Sequence, residues 1–216
     1  MRYKLAMFDF DGTLADTFPW FLSAVNRMAE KHGFNRIEEG EVETLRGYSA
    51  RQIVEHLGVP AWKLPRIGIE MRRLMAEDIR QIRPFDGIGT MLQSLSDRSV
   101  ALAVVTSNAY DNVRHVLGAE HGALIRYYEC GASLFGKRGK LRSVLKKSGV
   151  RPSEAIFIGD EIRDIEAARA ERIPFGAVAW GYTHVEALEA NAPAEVFADV
   201  AEVVEKMTSG KLPYER

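Results

Sequence analysis

Four short segments of the chain carry side chains able to do chemistry, and each follows an apolar run or precedes a helical pattern. The first is Asp9-Phe10-Asp11-Gly12-Thr13, directly after Leu5–Phe8. Read as a strand end, its period of two sets Asp9 and Asp11 on one side and turns Phe10 into the core, and Gly12 lets the chain bend away. Two carboxylates aimed at one point repel each other, so the pair calls for a cation or for a role that uses the repulsion. An isolated Asp-Gly is only a common turn. The second segment is Gly159-Asp160-Glu161-Ile162-Arg163-Asp164, after Ala155–Ile158. Here Asp160 is expected in the loop and Asp164 one turn into the following helix, both facing one point. Hard oxygen ligands from two strand ends suit Mg²⁺, although acidic residues also favour an ordinary helix start.

The third segment, Thr106-Ser107-Asn108, follows the run Val100–Val105. A hydroxyl beside free amides at the entry to a helix is a ready phosphate cradle, and the same residue types are ordinary N-caps. The fourth is Gly136-Lys137, in a polar stretch ahead of a helix over Leu141–Lys147. A lone lysine usually faces solvent; this one gains meaning because the other three segments call for a positive charge.

The elements that must position these residues are short apolar runs alternating with amphipathic stretches, the pattern of a parallel sheet covered by helices. Strands are expected at Leu5–Phe8, Val100–Val105, Ala155–Ile158 and Phe175–Ala179, with a weaker one at Glu195–Phe197. Ala101 to Val105 is apolar at every position, as befits a strand buried on both faces. From Ala15 to Arg83 only helical spacing is found, first in Phe18, Phe21, Leu22, Val25, Met28 and Ala29, then from Leu64 to about Ile79, and Pro84 stops the pattern. The expected organisation is an α/β, Rossmann-like parallel-sheet core (1–14 and 84–216) with an inserted all-helical cap (15–83).

At 216 residues the chain has room for one α/β domain and a smaller insert. Hydrophobic residues make up 46% and charged residues 27%, an ordinary globular mixture. A net charge of −1 provides no field to attract nucleic acid or an anionic membrane. The single cysteine, Cys130, excludes an internal disulfide and forms no zinc cluster with the five scattered histidines. The apolar run within Met1–Phe10 is too short for a signal sequence, and no segment has the length of a membrane span. A soluble, cytoplasmic protein is the expectation, with nothing demanding more than a monomer or homodimer.

Asp-x-Asp-Gly-Thr, a hydroxyl-Asn strand end, a lysine and Gly-Asp-x-x-x-Asp, in that order, resemble the haloacid dehalogenase superfamily over nearly the whole chain. The helical insert after the first motif, and Trp180-Gly181 after the fourth strand, are similar to its phosphoglycolate-phosphatase-like branch. The resemblance implies a Mg²⁺-dependent phosphatase acting on a small phosphorylated metabolite. It implies Asp9 as the nucleophile that forms an aspartyl-phosphate, and Asp11 as the acid and base. It also implies a metal held by the Asp9 side chain, the Asp11 carbonyl, Asp160 and Asp164. Thr106, Ser107, Asn108 and Gly12 would hold the phosphoryl group beside Lys137, for which Lys140 is a rival. A carboxylate approaching a phosphate dianion pays on the order of 4 kcal/mol per unit pair at about 4 Å and an effective dielectric near 20, which a metal and a lysine would offset.

In the cap, Arg46-Gly47-Tyr48-Ser49 is the segment expected to reach the site, with Arg46 binding a substrate carboxylate; the plainer reading of Arg46 is a surface charge. A sugar-phosphate mutase of the same family and a non-catalytic phospho-ligand module are the alternatives. The mutase would differ mainly in its cap contacts, whereas the module has no need of Asp9, Asp11 and Asp160.

Overall fold

The computed structural model describes residues 2–132 and 136–208. Six parallel strands form one sheet: β1 (Leu5–Phe8), β2 (Ala101–Val105), β3 (Ile125–Glu129), β4 (Ala155–Gly159), β5 (Phe175–Val178) and β6 (Glu195–Phe197). Their order in space is β3-β2-β1-β4-β5-β6. Chain order therefore runs outward in both directions from β1, and the β1–β4 boundary is the switch point at which open α/β sheets bind ligands. Phe8 pairs with Val104 on one side and Ile158 on the other. That register brings the residues just past β1, β2 and β4 to the same end of the sheet.

Helices follow the strands: α1 (Phe18–His32), α2 (Val42–Leu45), α3 (Ala50–His56) and α4 (Leu64–Asp78) all lie between β1 and β2, with α5 (Ile88–Asp97) leading into β2. Beyond it come α6 (Tyr110–Leu124), α7 (Gly136–Ser148), α8 (Ile162–Ala170), α9 (Val185–Glu189) and α10 (Val200–Thr208). The two-residue period of the strands sorts their side chains into two cores. Ala6, Phe8, Leu102, Val104, Ile156 and Ile158 pack against α5, α6 and α10. Leu5, Met7, Ala103, Val105, Ala155 and Phe157 face α7, α8 and α9. Both faces being covered explains why these strands read as unbroken apolar runs.

The helices α1 to α4 have a cluster of their own, built on Val25, Ile37, Leu45 and Leu57. Their boundaries follow from local chemistry. Pro19 sits in the first turn of α1, and Gly33, at φ 68°, closes it in the left-handed region. Ser49 caps α3 in a reciprocal pair with Gln52. The two chain segments joining this unit to the sheet run side by side, with an antiparallel bridge between Ala15 and Pro84 and a bond from the Asp16 amide to the Arg83 carbonyl (2.9 Å).

Two elements differ from the sequence expectation. Strand β3 has no apolar run: Ile125-Arg126-Tyr127-Tyr128-Glu129 is only partly buried because it pairs on one side, at the sheet edge. Helix α7 starts at Gly136 instead of Leu141, so Lys137 lies in its first turn and not in a preceding loop. Burial of the core carries the stability: Leu102, in β2, has no exposed surface. Leu102→Ala is expected to cost about 2–5 kcal/mol in urea unfolding, the range for a truncated buried leucine.

Candidate active site

Strand β1 ends at Phe8, and the Asp9 amide still bonds the Ile158 carbonyl (2.9 Å), so Asp9 is held at the carboxyl end of this central strand in ladder geometry. The chain then turns through Gly12, whose φ of +71° suits glycine. A side chain there would also collide, since its Cβ would lie 2.2 Å from Asp160 Oδ2. Asp160 follows β4 directly, and Asp164 stands in the first turn of α8. Asp9, Asp160 and Asp164 are all buried, and each offers a carboxylate oxygen within 4.8 Å of the others.

Packing three carboxylates so closely costs energy, which the proton affinities of Asp160 and Asp164 register. Burial first, then Glu161, Asp9 and the other carboxylate of the cluster, raises the Asp160 pKa well above the ordinary range. Asp164 is pushed up to about 7 by burial, against the opposing pull of Lys137. Asp11 is likewise raised to about 7, by burial and then by Asp9. The Lys137 ammonium contacts both Asp9 Oδ2 and Asp164 Oδ1. Burial opposes its charge, yet Asp164 and Asp9 outweigh it and hold its pKa above the usual value. Lys140 takes a different place, donating to the carbonyls of Thr106 and Gly131.

The remaining expected residues gather around this cluster at separate points. Asn108 Nδ2 donates to both Asp11 oxygens (3.1 and 3.3 Å), and Asn112 in turn orients Asn108 (2.8 Å). The buried Thr106 hydroxyl accepts from the Asn108 amide at 3.0 Å, while Ser107 is exposed at the strand tip. Arg46 does not reach the carboxylates. Its guanidinium donates to the carbonyls of Gly181 (2.9 Å) and Tyr182 (3.1 Å) at the seam between the helical unit and the sheet.

Sequence reading missed the residues that orient Asp160. The Thr13 hydroxyl donates to Oδ1 and the Tyr182 amide to Oδ2, both at 2.8 Å. Trp180 Nε1 donates to the Thr13 carbonyl (3.1 Å), and the Tyr182 hydroxyl shares a 2.8 Å bond with Thr17. The tyrosine ring lies against Phe18 and Phe21 of α1. Gly181 is required by the approach, because a Cβ there would fall 2.1 Å from the Asp160 Cβ. The dipeptide Trp180-Gly181 was the available signal; its tyrosine neighbour was not distinguishable from any other.

This donor set fits a divalent cation: three buried carboxylates from neighbouring strand ends, with one oxygen, Asp164 Oδ2, lacking a hydrogen-bond partner among the described residues. The chain belongs to the haloacid dehalogenase-like hydrolases, whose family profile matches residues 6–178. Within that family it is a phosphatase of the phosphoglycolate-phosphatase-like branch. It is 29% identical to a phosphoglycolate phosphatase of Synechococcus elongatus over 203 residues, covering 94% of this chain and 96% of the relative. Identity is also 29% to an N-acetylmuramic acid 6-phosphate phosphatase of Pseudomonas aeruginosa, with 92% of each chain covered. A haloacid dehalogenase-like hydrolase from Streptococcus pneumoniae shares the fold, with a TM-score of 0.79 at 20% identity, over 95% of this chain and 98% of the other.

Two consequences can be measured. Thr13→Val keeps the shape but removes the bond that orients Asp160; divalent-cation affinity by calorimetry should fall about 10- to 100-fold, as for other groups that orient a metal ligand. The second concerns pH. Asp11 and Asp164 carry folded pKa values of about 7 against 3.8 unfolded, so between those limits the folded cation-free protein binds the extra protons. Stability must then fall as pH rises through that window. Chelator-treated protein should melt at a higher temperature at pH 5.5 than at 7.5, and added Mg²⁺ should flatten the difference; a Tm that rises with pH in the absence of metal contradicts the raised pKa values.

Proposed function

We propose that the chain is a Mg²⁺-dependent hydrolase of phosphate monoesters that works through an aspartyl-phosphate on Asp9. The observation that carries this reading is the buried group of Asp9, Asp160 and Asp164 at adjacent strand ends, with Lys137 lying against two of them. The side chains of Asp9, Asp160 and Asp164, with the Asp11 carbonyl, would hold the metal. When bound, the ion supplies positive charge against which the phosphoryl oxygens are stabilised.

In the first half-reaction an Asp9 carboxylate oxygen bonds to phosphorus and the bond from phosphorus to the ester oxygen breaks. Asp11 delivers a proton to that departing oxygen. A carboxyl raised to about 7 is a suitable acid near neutral pH. In the second half-reaction Asp11 takes a proton from water, which attacks phosphorus and frees Asp9 and inorganic phosphate. The Thr106 hydroxyl and the Ser107 and Asn108 amides hold the phosphoryl oxygens, Gly12 leaves room for them, and Lys137 offsets their charge. Residues 15–83 serve as the cap over a core of 1–14 and 84–216, shielding the site from water. The substrate is a small phosphorylated metabolite of the cytoplasm; the Synechococcus elongatus relative's name makes phosphoglycolate one ester to assay. The use of the Arg46 Nε and Nη2 hydrogens on two carbonyls speaks against its binding a substrate carboxylate.

Phosphate release from ethyl phosphate and p-nitrophenyl phosphate, with and without Mg²⁺, tests the reading. Asp9→Asn should lose at least about 10³-fold on both, for want of the nucleophile. Asp11→Asn should lose about 10²- to 10⁴-fold on the alkyl ester and less on the aryl ester, whose leaving group needs little protonation. Turnover that survives Asp9→Asn, or that ignores Mg²⁺, would sink the mechanism.

A further inference from the structure

A cavity of about 580 Å³ lies between the cap helices and the core, within the roughly 300–1,000 Å³ range of pockets that take drug-sized ligands. Its core side is built by residues next to the acid cluster. Tyr182, whose amide bonds Asp160, and Glu161, the next residue along from Asp160, both line it. Its cap wall is mostly apolar, formed by Phe21, Leu22, Val25, Ile53, Val54 and Met71 among others, with Arg46 and Arg51 the charged exceptions. Two carbons of a glycolate would leave most of this space empty.

The charges around the cavity decide what kind of group suits it. Three arginines line it, and each is already paired. Arg46 donates to the Gly181 and Tyr182 carbonyls, Arg51 bonds Glu55 at 2.9 Å, and Arg163 contacts Glu161. Glu161 and Glu166 also line the space. An entering carboxylate would meet two acids and no unpaired arginine, and would have to be desolvated against an apolar wall. An apolar group entering the same space gains by leaving water.

Resting on the phosphatase reading above, we propose that this cavity receives the leaving group of the ester, and that the substrates are phosphate monoesters of alcohols with an extended alkyl or an aromatic body. The phosphoryl group stays at the strand ends; the apolar portion extends past Tyr182 into the cap.

The test is the alkyl series ethyl, butyl, hexyl and octyl phosphate at submicellar concentration with Mg²⁺, alongside phosphoglycolate. The basicity of the departing alcohol hardly changes along that series, so chain length reports binding. The expected result is a kcat/KM that rises about three- to fourfold per methylene until the cavity is filled, with phosphoglycolate below hexyl phosphate. Val54→Trp, which takes up part of the space, should reduce the octyl-to-ethyl ratio at least tenfold. Calorimetric binding of octyl and ethyl phosphate to Asp9→Asn supplies a readout without turnover. A flat series with phosphoglycolate preferred overturns the inference and leaves the phosphatase reading intact. Chain-length-dependent binding with no turnover of any ester by the wild type supports the cavity and overturns the mechanism instead. A ratio unchanged by Val54→Trp rejects this cavity as the binding place.

Discussion

Mutual repulsion among buried carboxylates is the constraint around which this molecule is arranged. Asp9, Asp160 and Asp164 converge within 4.8 Å at the switch point of the sheet, where water is largely excluded and like charges interact strongly. The raised pKa values of Asp160 and Asp164 are the signature of that cost. The sheet tolerates it because β1 and β4 are neighbours held by paired strands and two covered faces, so the cluster cannot spread apart. Lys137 neutralises part of the charge by touching two of the three acids. In the proposed enzyme, a cation taken up by the same oxygens would compete with that ammonium and leave the lysine available for the phosphoryl group. The one cluster would then link metal uptake to the presentation of Lys137.

Orientation of the cluster depends on residues far away in the chain. Asp160 is fixed from both sides, by the Thr13 hydroxyl and the Tyr182 amide. Thr13 is itself tied through its carbonyl to Trp180. Segment 180–184 therefore serves two structures at once. Its backbone holds a carboxylate, while its side chains and carbonyls meet the helical unit through Phe18, Phe21, Arg46 and Glu43. The glycine between Trp180 and Tyr182 is the condition for this double contact, since any side chain there would occupy the place of Asp160.

Local signals in the sequence were sufficient for the strand-end acids. An apolar run, a glycine and aspartates at fixed spacing lie within a few residues of one another, so their meaning does not depend on distant contacts. The central strands were legible for the same reason, as burial on both faces writes itself into every position. Strand β3 was not, because an edge strand needs no unbroken apolar run and Arg126 faces outward. The start of α7 was hidden by Gly136 and Gly139, poor helix formers that tertiary contacts override. Thr13 and Tyr182 act on an aspartate 147 and 22 residues away, and no local pattern records such a partnership. Arg46 was noticed for its charge and its glycine neighbour, but its partners are backbone carbonyls, which every residue carries.

The helical unit is attached to the sheet in two different ways. At the root, the segments around Ala15 and Pro84 are bridged and continue covalently into the sheet, with Asp16 bonded to Arg83 and Phe85 to Leu14. At the far side the seam includes the Arg46 bonds to two carbonyls, the His184 amide on the Arg46 carbonyl (2.9 Å), the His184 ring on the Glu43 carbonyl (2.9 Å), the Thr17–Tyr182 hydroxyl bond (2.8 Å) and the Tyr182 ring on Phe18 and Phe21. Each such hydrogen bond exchanges for one to water at a net cost of only about 0.5–1.5 kcal/mol. Those hydrogen bonds together are therefore worth only a few kcal/mol. In the proposed enzyme, opening there would swing the helical unit about the Ala15–Pro84 root and uncover the apolar wall of the cavity. A leaving group that covers that wall would favour closure over the bound ester, and substrate selection and water exclusion at the strand ends would then draw on the same buried surface.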